Sequence, residues 1–168
     1  ASPGEGNTIS VTAVLIDHLG NTSLAGSDSA TVDTTPGNTP VVSITEDVNN
    51  DGVLTGVELS GTVDISITLP AGALAGDTIQ VSDGTTTTNL LLDATAITNG
   101  SVTTAFASPG EGNTISVTAV LIDQLGNTSL AGSDSATVDT LAGDTGAAPL
   151  VAITEDANND GVLNGAEL

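Results

Sequence analysis

The sequence predicts an all-β protein built from tandem sandwich repeats, and three observations support this prediction. Apolar and polar residues alternate with a period of two, most clearly over residues 62–69. Glycine-containing turn signals separate such segments, and no stretch has a helical period. Two blocks of sequence also recur along the chain. About seven short strands in roughly 100 residues are typical of an immunoglobulin-like sandwich.

The candidate strands follow one another between turns such as Asp83-Gly84 and Asn99-Gly100. In the segment 62–69, the apolar residues fall on one face and the polar residues on the other. The segment 115–122 alternates in the same way and becomes apolar on both faces at its end. The remaining candidate strands are 41–45, 77–81, 86–92, 101–107 and 135–139.

The two recurring blocks predict the domain boundaries. Residues 1–34 return at 107–140, and the only difference is His18, which becomes Gln124. A second block, 43–59, returns with four substitutions at 152–168. These offsets predict the C-terminal part of one repeat at 1–35, a complete repeat at 36–140, and a linker with the start of a third repeat at 141–168.

The charge composition is one-sided, because the chain has 21 Asp and Glu residues, no Lys or Arg, and a formal net charge of −21. No salt bridge to Lys or Arg can form, and self-repulsion of this size destabilises a compact state. The sequence is nevertheless 38% hydrophobic and has the composition of a protein with a core. We therefore expect bound cations to be part of the fold.

The same composition excludes several classes of function. Nucleic-acid binding needs Lys and Arg to neutralise phosphates, so no nucleic-acid partner is expected. An anionic membrane surface would repel the chain, and no apolar run approaches the ~20 residues of a membrane span, so no membrane insertion is expected. The chain has no Cys, which rules out disulfides and thiolate metal sites.

A twelve-residue pattern typical of calcium loops, D-x-[DN]-x-[DN]-G-x5-E, occurs at 47–58 and again at 156–167. Calcium takes about 6–8 oxygen ligands, and this spacing directs side chains and one carbonyl toward a single point. The alternative is a polar Asx-rich turn, which does not explain a Glu at the twelfth position in both copies. The predicted ligands are Asp47, Asn49, Asp51, Val53 (through its carbonyl), Thr55 (through water) and Glu58, with Asp156, Asn158, Asp160, Val162, Asn164 and Glu167 in the second loop.

The flanks of the first loop distinguish it from an EF-hand. An EF-hand has a helix on each side of the loop, whereas here the flanking segments 41–46 and 62–69 are candidate strands. We therefore predict an EF-type calcium loop inserted between strands, with at most one helical turn around Glu58. Magnesium fits less well, because it prefers a small octahedron rich in water.

Further acids lie where neighbouring repeats would meet and are candidate ligands for calcium ions shared between repeats. The alternative for each is a solvated carboxylate or an Asx turn, and the sequence leaves the two open. Four other acids, Asp64, Asp77, Asp83 and Asp93, are expected to be solvated. The candidate inter-repeat ligands are Asp17, Asp33, Glu46, Asp123, Asp139 and Glu155.

The phrases SVTAVLIDxLGNTS and SATVDT, followed by a linker into SITEDxNNDG, resemble the extender repeats of giant bacterial adhesins of the RTX (repeats-in-toxin) group. Ice-binding and biofilm adhesins carry such arrays. The resemblance implies β-sandwich repeats that bind calcium within and between domains. It also implies type I secretion, folding outside the cell, and a location at the bacterial cell surface.

The sequence therefore predicts a calcium-rigidified extender of a secreted adhesin that projects a distal binding region. The expected partners are calcium ions and neighbouring repeats of the same chain in a monomeric array. The alternative is a calcium-dependent module that recognises a glycan or a partner protein, although Phe106 is the only aromatic residue. An enzyme is not expected, because Cys is absent and the only His is Gln in the equivalent copy.

Overall fold

The computed structural model describes residues 2–143, 145–156 and 158–166. Ten strands and one short helix lie within these ranges. In chain order they are β1 (Thr8–Ala13), β2 (Gly26–Thr31), β3 (Val41–Ile44), β4 (Val53–Thr55), β5 (Val63–Thr68), β6 (Thr78–Ser82), β7 (Thr87–Leu91), α1 (Ala94–Asn99), β8 (Ser101–Phe106), β9 (Thr114–Ile122) and β10 (Gly132–Asp139).

Strands β3 to β10 form two sheets, which we call the sandwich, and the predicted all-β immunoglobulin-like fold class is confirmed. One sheet has five strands in the order β4-β10-β9-β6-β7, and the other has three in the order β3-β5-β8. Among the strand pairs of these two sheets, β4 and β10 pair in parallel, and the others are antiparallel. All seven strands that the sequence predicts are present, and β4 is an eighth.

The core lies between the two sheets and consists of aliphatic residues from alternate positions. Strand β5 buries Val63, Ile65 and Ile67 completely, and its polar residues face outward. Phe106, at the end of β8, is 4% exposed and packs in the same cluster. At about 25 cal/mol per Å² of apolar surface, this burial is the main stabilising contribution to the sandwich.

One short helix, α1, lies among the strands, although no stretch of the sequence has a helical period. Asp93 is its N-cap and accepts a hydrogen bond from the backbone N–H of Ala96 at 2.7 Å. Gly100 ends the helix in the left-handed conformation, with φ of 69°, and donates its N–H to the carbonyl of Ala96 at 2.9 Å. Six residues are too few to produce a helical period in the sequence, so only these caps indicate the helix.

Strand β4 lies inside the predicted calcium loop and joins it to the edge of the five-stranded sheet. Val53 is opposite Thr137 and Thr55 is opposite Asp139 in the parallel register. Leu54, between them, is completely buried in the core. The loop therefore lies between strands β3 and β5, as predicted, and a turn follows at 56–58.

The two sheets are also joined where the segment before β3 crosses β10. The carbonyl of Pro40 lies so close to Gly132 that any Cβ atom at this position would clash with it. Four residues further on, the backbone N–H of Ile44 donates to the Asp134 carboxylate at 2.8 Å. Asp134 therefore satisfies a backbone donor of the opposite sheet.

Strands β1 and β2 form a separate two-stranded sheet, which we call the N-terminal hairpin. Its register is that of β9 and β10: Ala13 pairs with Gly26 as Ala119 pairs with Gly132. All of its strand residues are exposed. Val11 is 60% exposed, whereas Val117, the same residue in the second copy, is completely buried. The same sequence thus forms the same hairpin in both copies, whereas the burial of its side chains depends on the strands that cover it.

Replacement of Gly132 by Ala should destabilise the sandwich by about 1–3 kcal/mol, because the added methyl group meets the Pro40 backbone rather than a movable side chain. Thermal unfolding monitored by circular dichroism measures this effect. Gly26→Ala is the matched control, because it makes the same change in the same motif with nothing within 4 Å. Equal melting temperatures for the two variants would contradict the proposed role of Gly132.

Candidate metal centre

The first half of loop 47–58 is held by hydrogen bonds from its own backbone to its side chains. Asp47 accepts the N–H groups of Asp51 at 3.0 Å and Gly52 at 2.9 Å, one on each carboxylate oxygen. The Asn49 amide oxygen also accepts from Asp51 at 3.0 Å, and the Asp51 carboxylate accepts from Val53 at 2.9 Å. Three predicted ligands are thus brought together on the concave side of one turn.

The second half of the loop has a different arrangement. The Glu58 carboxylate accepts the backbone N–H of Thr55 at 3.1 Å and its hydroxyl at 2.7 Å, both on Oε2. The bond from the Thr55 N–H is one half of a capping box, in which a Glu three residues after a Thr reaches back to the Thr backbone. The other half is absent, because the Thr55 hydroxyl donates to Glu58 and the Glu58 N–H donates to the Thr55 carbonyl. Glu58 and Thr55, both predicted ligands, are therefore bonded to each other.

The second loop repeats the first half of this geometry. Asp156 accepts from Asp160 at 3.0 Å and from Gly161 at 2.9 Å, and the Asp160 carboxylate accepts from Val162 at 2.9 Å. Asn50 and Asn159, the fourth residues of the two loops, both have φ of 56°. Glu167 lies outside the described residues. Both loops thus adopt the same backbone turn, although only the first is attached to a sandwich.

Within the described ranges, no three His, Cys, Asp or Glu side chains are grouped closely enough to hold a metal ion by themselves. In loop 47–58 the reason is visible, because Glu58 is bonded to Thr55 instead of to the side of the loop where Asp47 and Asp51 meet. The predicted metal-ligand atoms of the loop are all oxygen atoms, which suits a hard cation such as Ca²⁺. Calcium binding by the loop stays a prediction.

A second group of acids lies between the N-terminal hairpin and the sandwich. Asp33, Asp77 and Asp123 line one cavity of about 260 Å³ together with Leu74, Gln124 and Leu125. Desolvation raises the pKa of Asp33, and the neighbouring carboxylates of Glu5 and Asp123 add to this effect. The Asn127 side chain also donates to the Asp33 carbonyl at 3.4 Å. The structure thus brings together two of the predicted inter-repeat acids, Asp33 and Asp123.

The other predicted inter-repeat acids are dispersed. Asp17 closes its own turn by accepting from Asn21, and this lowers its pKa. Asp123 makes the same turn with Asn127, and its pKa is lowered for the same reason. The remaining three have the following positions: Glu46 accepts the N–H of Asp64 at 2.7 Å, Asp139 lies opposite Thr55, and Glu155 accepts the Thr154 hydroxyl at 3.1 Å.

One of the acids that were expected to be solvated, Asp77, is buried, while Asp64 and Asp93 are exposed. Asp77 is only 4% exposed and accepts the backbone N–H of Leu74 at 2.8 Å, so the expectation was wrong for this residue. Asp93 caps α1, as described above. Asp83 is half-buried and closes the turn between β6 and β7 by accepting from Thr85 and Thr86.

Sequence reasoning missed Glu5 and its equivalent Glu111. Glu111 accepts the N–H and the hydroxyl of Thr140 on one carboxylate oxygen, at 2.9 and 2.7 Å. These bonds lower its pKa, and a bond with the Asp139 side chain adds to the effect. Glu5 makes the same bonds to Thr34. The repeated PGEGN and VDT phrases are the available signal, because they pair Glu with Thr in both copies.

No helix among the described residues is long and apolar enough to cross a membrane. No protein-family model matches the chain, and no curated protein matches it.

Two solved structures are similar in shape. One comes from a study of host cell surface retention of a 1.5-MDa bacterial ice-binding adhesin; it is 27% identical over 80% of this chain, with a TM-score of 0.43. This chain spans only 42% of that adhesin chain. The other is the PKD domain of an M14-like peptidase from Thermoplasmatales archaeon SCGC AB-540-F20. It is 14% identical, covers 64% of this chain and 99% of its own, and also has a TM-score of 0.43. At these TM-scores, neither similarity supports an inference about function.

Glu111→Gln should lower the melting temperature of the sandwich at neutral pH, because Thr140 loses a charge-assisted acceptor. A carboxyl group whose pKa is depressed on folding stabilises the protein above its unfolded pKa. This stability is lost as the pH falls through the folded pKa. The variant should therefore lose less stability than the wild type between neutral and acidic pH. Thermal melts across this range measure the difference.

Glu5→Gln is the matched control, because it removes the same bonds from the hairpin, which lies outside the sandwich. A wild-type pH profile in Glu111→Gln would contradict the role assigned to this carboxylate.

Proposed function

We propose that the chain is a calcium-stiffened spacer of a secreted bacterial surface adhesin, and that loop 47–58 and the loop beginning at Asp156 bind Ca²⁺. The observation that carries this proposal is the shared geometry of the two loops. Both place an Asp, an Asn and an Asp around one turn through the same backbone hydrogen bonds. This arrangement, with a Glu at position twelve in the sequence, suits an oxygen-coordinated hard cation.

The charge of the chain supports a cation as part of the folded state. With no Lys or Arg, the net charge of −21 is opposed only by bound cations and by screening. Bound calcium would supply positive charge beside Asp47 and Asp51. Two predicted ligands of this loop, Glu58 and Thr55, are already bonded to each other, because the Glu58 carboxylate accepts the Thr55 N–H and hydroxyl. Calcium binding should therefore reorganise the turn at 55–58.

Strand β4 couples that reorganisation to the sandwich. Thr55 is both a predicted ligand and the last residue of β4, which pairs with β10. Leu54 anchors the same strand in the core. Ordering of the loop by calcium would therefore act directly on β4, at the edge of the five-stranded sheet. Through the pairing of β4 with β10, it would also act on Asp139.

The acidic cavity supports a second cation between the hairpin and the sandwich. Asp33 comes from the hairpin side, while Asp77 and Asp123 come from the sandwich. Asp33, Asp77 and Asp123 line one cavity but are not grouped closely enough to hold an ion by themselves, so an ion there would also need water or other oxygen ligands. Such an ion would offset the repulsion between these carboxylates. In this way an ion would limit bending between neighbouring repeats.

Location and export are proposed from the resemblance of the repeat motifs to adhesin extenders. Calcium sites of extracellular modules have dissociation constants of about 10⁻⁴–10⁻³ M. Such sites are empty at cytosolic calcium levels and filled outside the cell. The uncompensated acidic charge would keep the chain loose until it meets external calcium, which suits a protein that is exported unfolded.

Calcium should raise the melting temperature of the chain, and EDTA should reverse the increase. Glu58→Gln should weaken calcium binding by about tenfold or more at the first loop, measured by isothermal titration calorimetry. Asp83→Asn is the matched control, because it removes a carboxylate from an exposed turn outside both loops. Identical melting curves with calcium and EDTA would overturn the proposal.

Calcium should also make the chain stiffer between the hairpin and the sandwich. Small-angle X-ray scattering should give a narrower distribution of dimensions with calcium than with EDTA. Asp33→Asn combined with Asp123→Asn should remove this difference without removing the calcium bound by loop 47–58. A double variant that stiffens as the wild type does would show that the cavity holds no ion.

A further inference from the structure

Strand β8 is an edge strand, because it pairs with β5 on one side and with no described strand on the other. Residues of an antiparallel ladder alternate between those whose backbone bonds to the partner strand and those whose backbone faces away. The Leu69 N–H donates to the Gly100 carbonyl at 2.9 Å, one residue before β8 and in the same register, which fixes this alternation. The backbone N–H and C=O groups of Ser101, Thr103 and Ala105 therefore point outward from the edge of the sheet.

This edge lacks the features that commonly block edge strands, which are Lys, Pro, a bulge or a covering segment. Its sequence, SVTTAF, contains neither Lys nor Pro, and all six residues pair with β5 in one unbroken register. The opposite edge of the same sheet is different, because β3 lies across β10 and its Ile44 N–H donates to Asp134. The outer edge of β8 can therefore pair with an additional strand.

Two cavities flank the outward-facing part of β8. One has a volume of about 440 Å³ and lies between β7, α1 and the start of β8; its lining includes the apolar side chains of Leu90, Ala96 and Val102. The other has a volume of about 410 Å³, and its lining includes Asp64 together with Ala105. Side chains of a strand alternate between its two faces. An added strand would therefore direct alternate side chains toward an apolar cavity and toward a cavity with a carboxylate.

The charges beside these cavities favour a basic partner. Asp64 lies opposite Ala105 in the register, is exposed, and accepts one hydrogen bond from the described side chains, that of the Thr62 hydroxyl at 3.2 Å. Asp93 lines the apolar cavity and caps α1 with its Oδ1 atom. Both carboxylates keep acceptor capacity, and the chain has no Lys or Arg to use it. A second copy would add a like charge of −21, so pairing of β8 with itself is opposed.

We infer that the outer edge of β8 binds an extended segment of another protein in which apolar and basic residues alternate. The segment pairs with the outward-facing backbone groups of β8 and becomes a fourth strand of the three-stranded sheet. Its apolar side chains occupy the cavity beside Leu90 and Val102, and a basic side chain reaches over the small Ala105 to Asp64. None of these residues is a predicted calcium ligand, so this inference does not rest on the proposed calcium function.

A short peptide that alternates valine and arginine, with capped ends, is the probe for this edge. Isothermal titration calorimetry at about 0.15 M salt, which screens long-range attraction, measures its binding. The same peptide with every backbone N–H methylated is the matched control, because it keeps the charge and the side chains but cannot donate to a strand. The unmethylated peptide should bind about tenfold more tightly. Equal affinities would mean that charge alone attracts the peptide, which would overturn the inference.

Two substitutions test the backbone and the charge separately. Thr103→Pro removes an outward N–H and leaves the bonds from β8 to β5, so it should weaken binding of the unmethylated peptide by about tenfold. Thr87→Pro is its matched control, because it makes the same change at the edge of the other sheet and should bind as the wild type does. Asp64→Asn should weaken binding by about threefold, and Asp83→Asn, which removes the same charge from the turn between β6 and β7, should not.

Amide hydrogen exchange of the wild-type chain locates the bound peptide without any substitution. The N–H groups of Thr103 and Ala105 should exchange about tenfold more slowly when the peptide is present, whereas those of Thr87 and Asn89 on β7 should not change. Equal weakening by Thr103→Pro and Thr87→Pro, or slower exchange on β7 without slower exchange on β8, would show that the peptide does not pair with β8.

Discussion

The absence of any positive side chain except one His constrains every acidic group in this molecule. A carboxylate that cannot form a salt bridge needs N–H or O–H donors, water or a metal ion. In this fold, backbone N–H groups are the main donors to these carboxylates. Asp93 caps a helix, Asp123 closes a turn, and Asp134 joins two sheets in this way. Many of the carboxylates thus accept hydrogen bonds from the backbone and take part in holding the fold together.

This constraint also explains why a cation would act at particular places. In a turn such as that of Asp83, one carboxylate binds backbone N–H groups without a second carboxylate in the turn, whereas loop 47–58 holds both Asp47 and Asp51 in one turn. Where turns from different elements meet, as at Asp33 and Asp123, no donor from Lys or Arg is available to separate them. The remaining electrostatic cost is therefore concentrated at the two predicted calcium loops and at the boundary between hairpin and sandwich, which are the three places where calcium is proposed.

The sandwich strands could be predicted because they alternate over several residues against one core. Strand β4 could not be predicted, because three residues are too few to show a period of two and they are part of the predicted calcium-loop pattern. The predicted ligand positions follow from spacing alone, and calcium binding at them stays a prediction. The pairing of Glu58 with Thr55 does not follow from spacing, because T-x-x-E describes both a capping box and the end of a calcium loop. Which acids meet across the junction depends on the placement of the hairpin against the sandwich, and no local pattern encodes this.

The parallel pairing of β4 with β10 has a mechanical consequence. Tension carried along the chain enters the sandwich upstream of β4 and leaves it downstream of β10. Because the two strands run in the same direction, this tension pulls them past each other along a common axis. Their hydrogen bonds are then stretched together instead of breaking one after another. Strand β4 lies inside the segment that the sequence predicts to bind calcium, so the stiffness of that segment would contribute to the pulling force that this joint withstands.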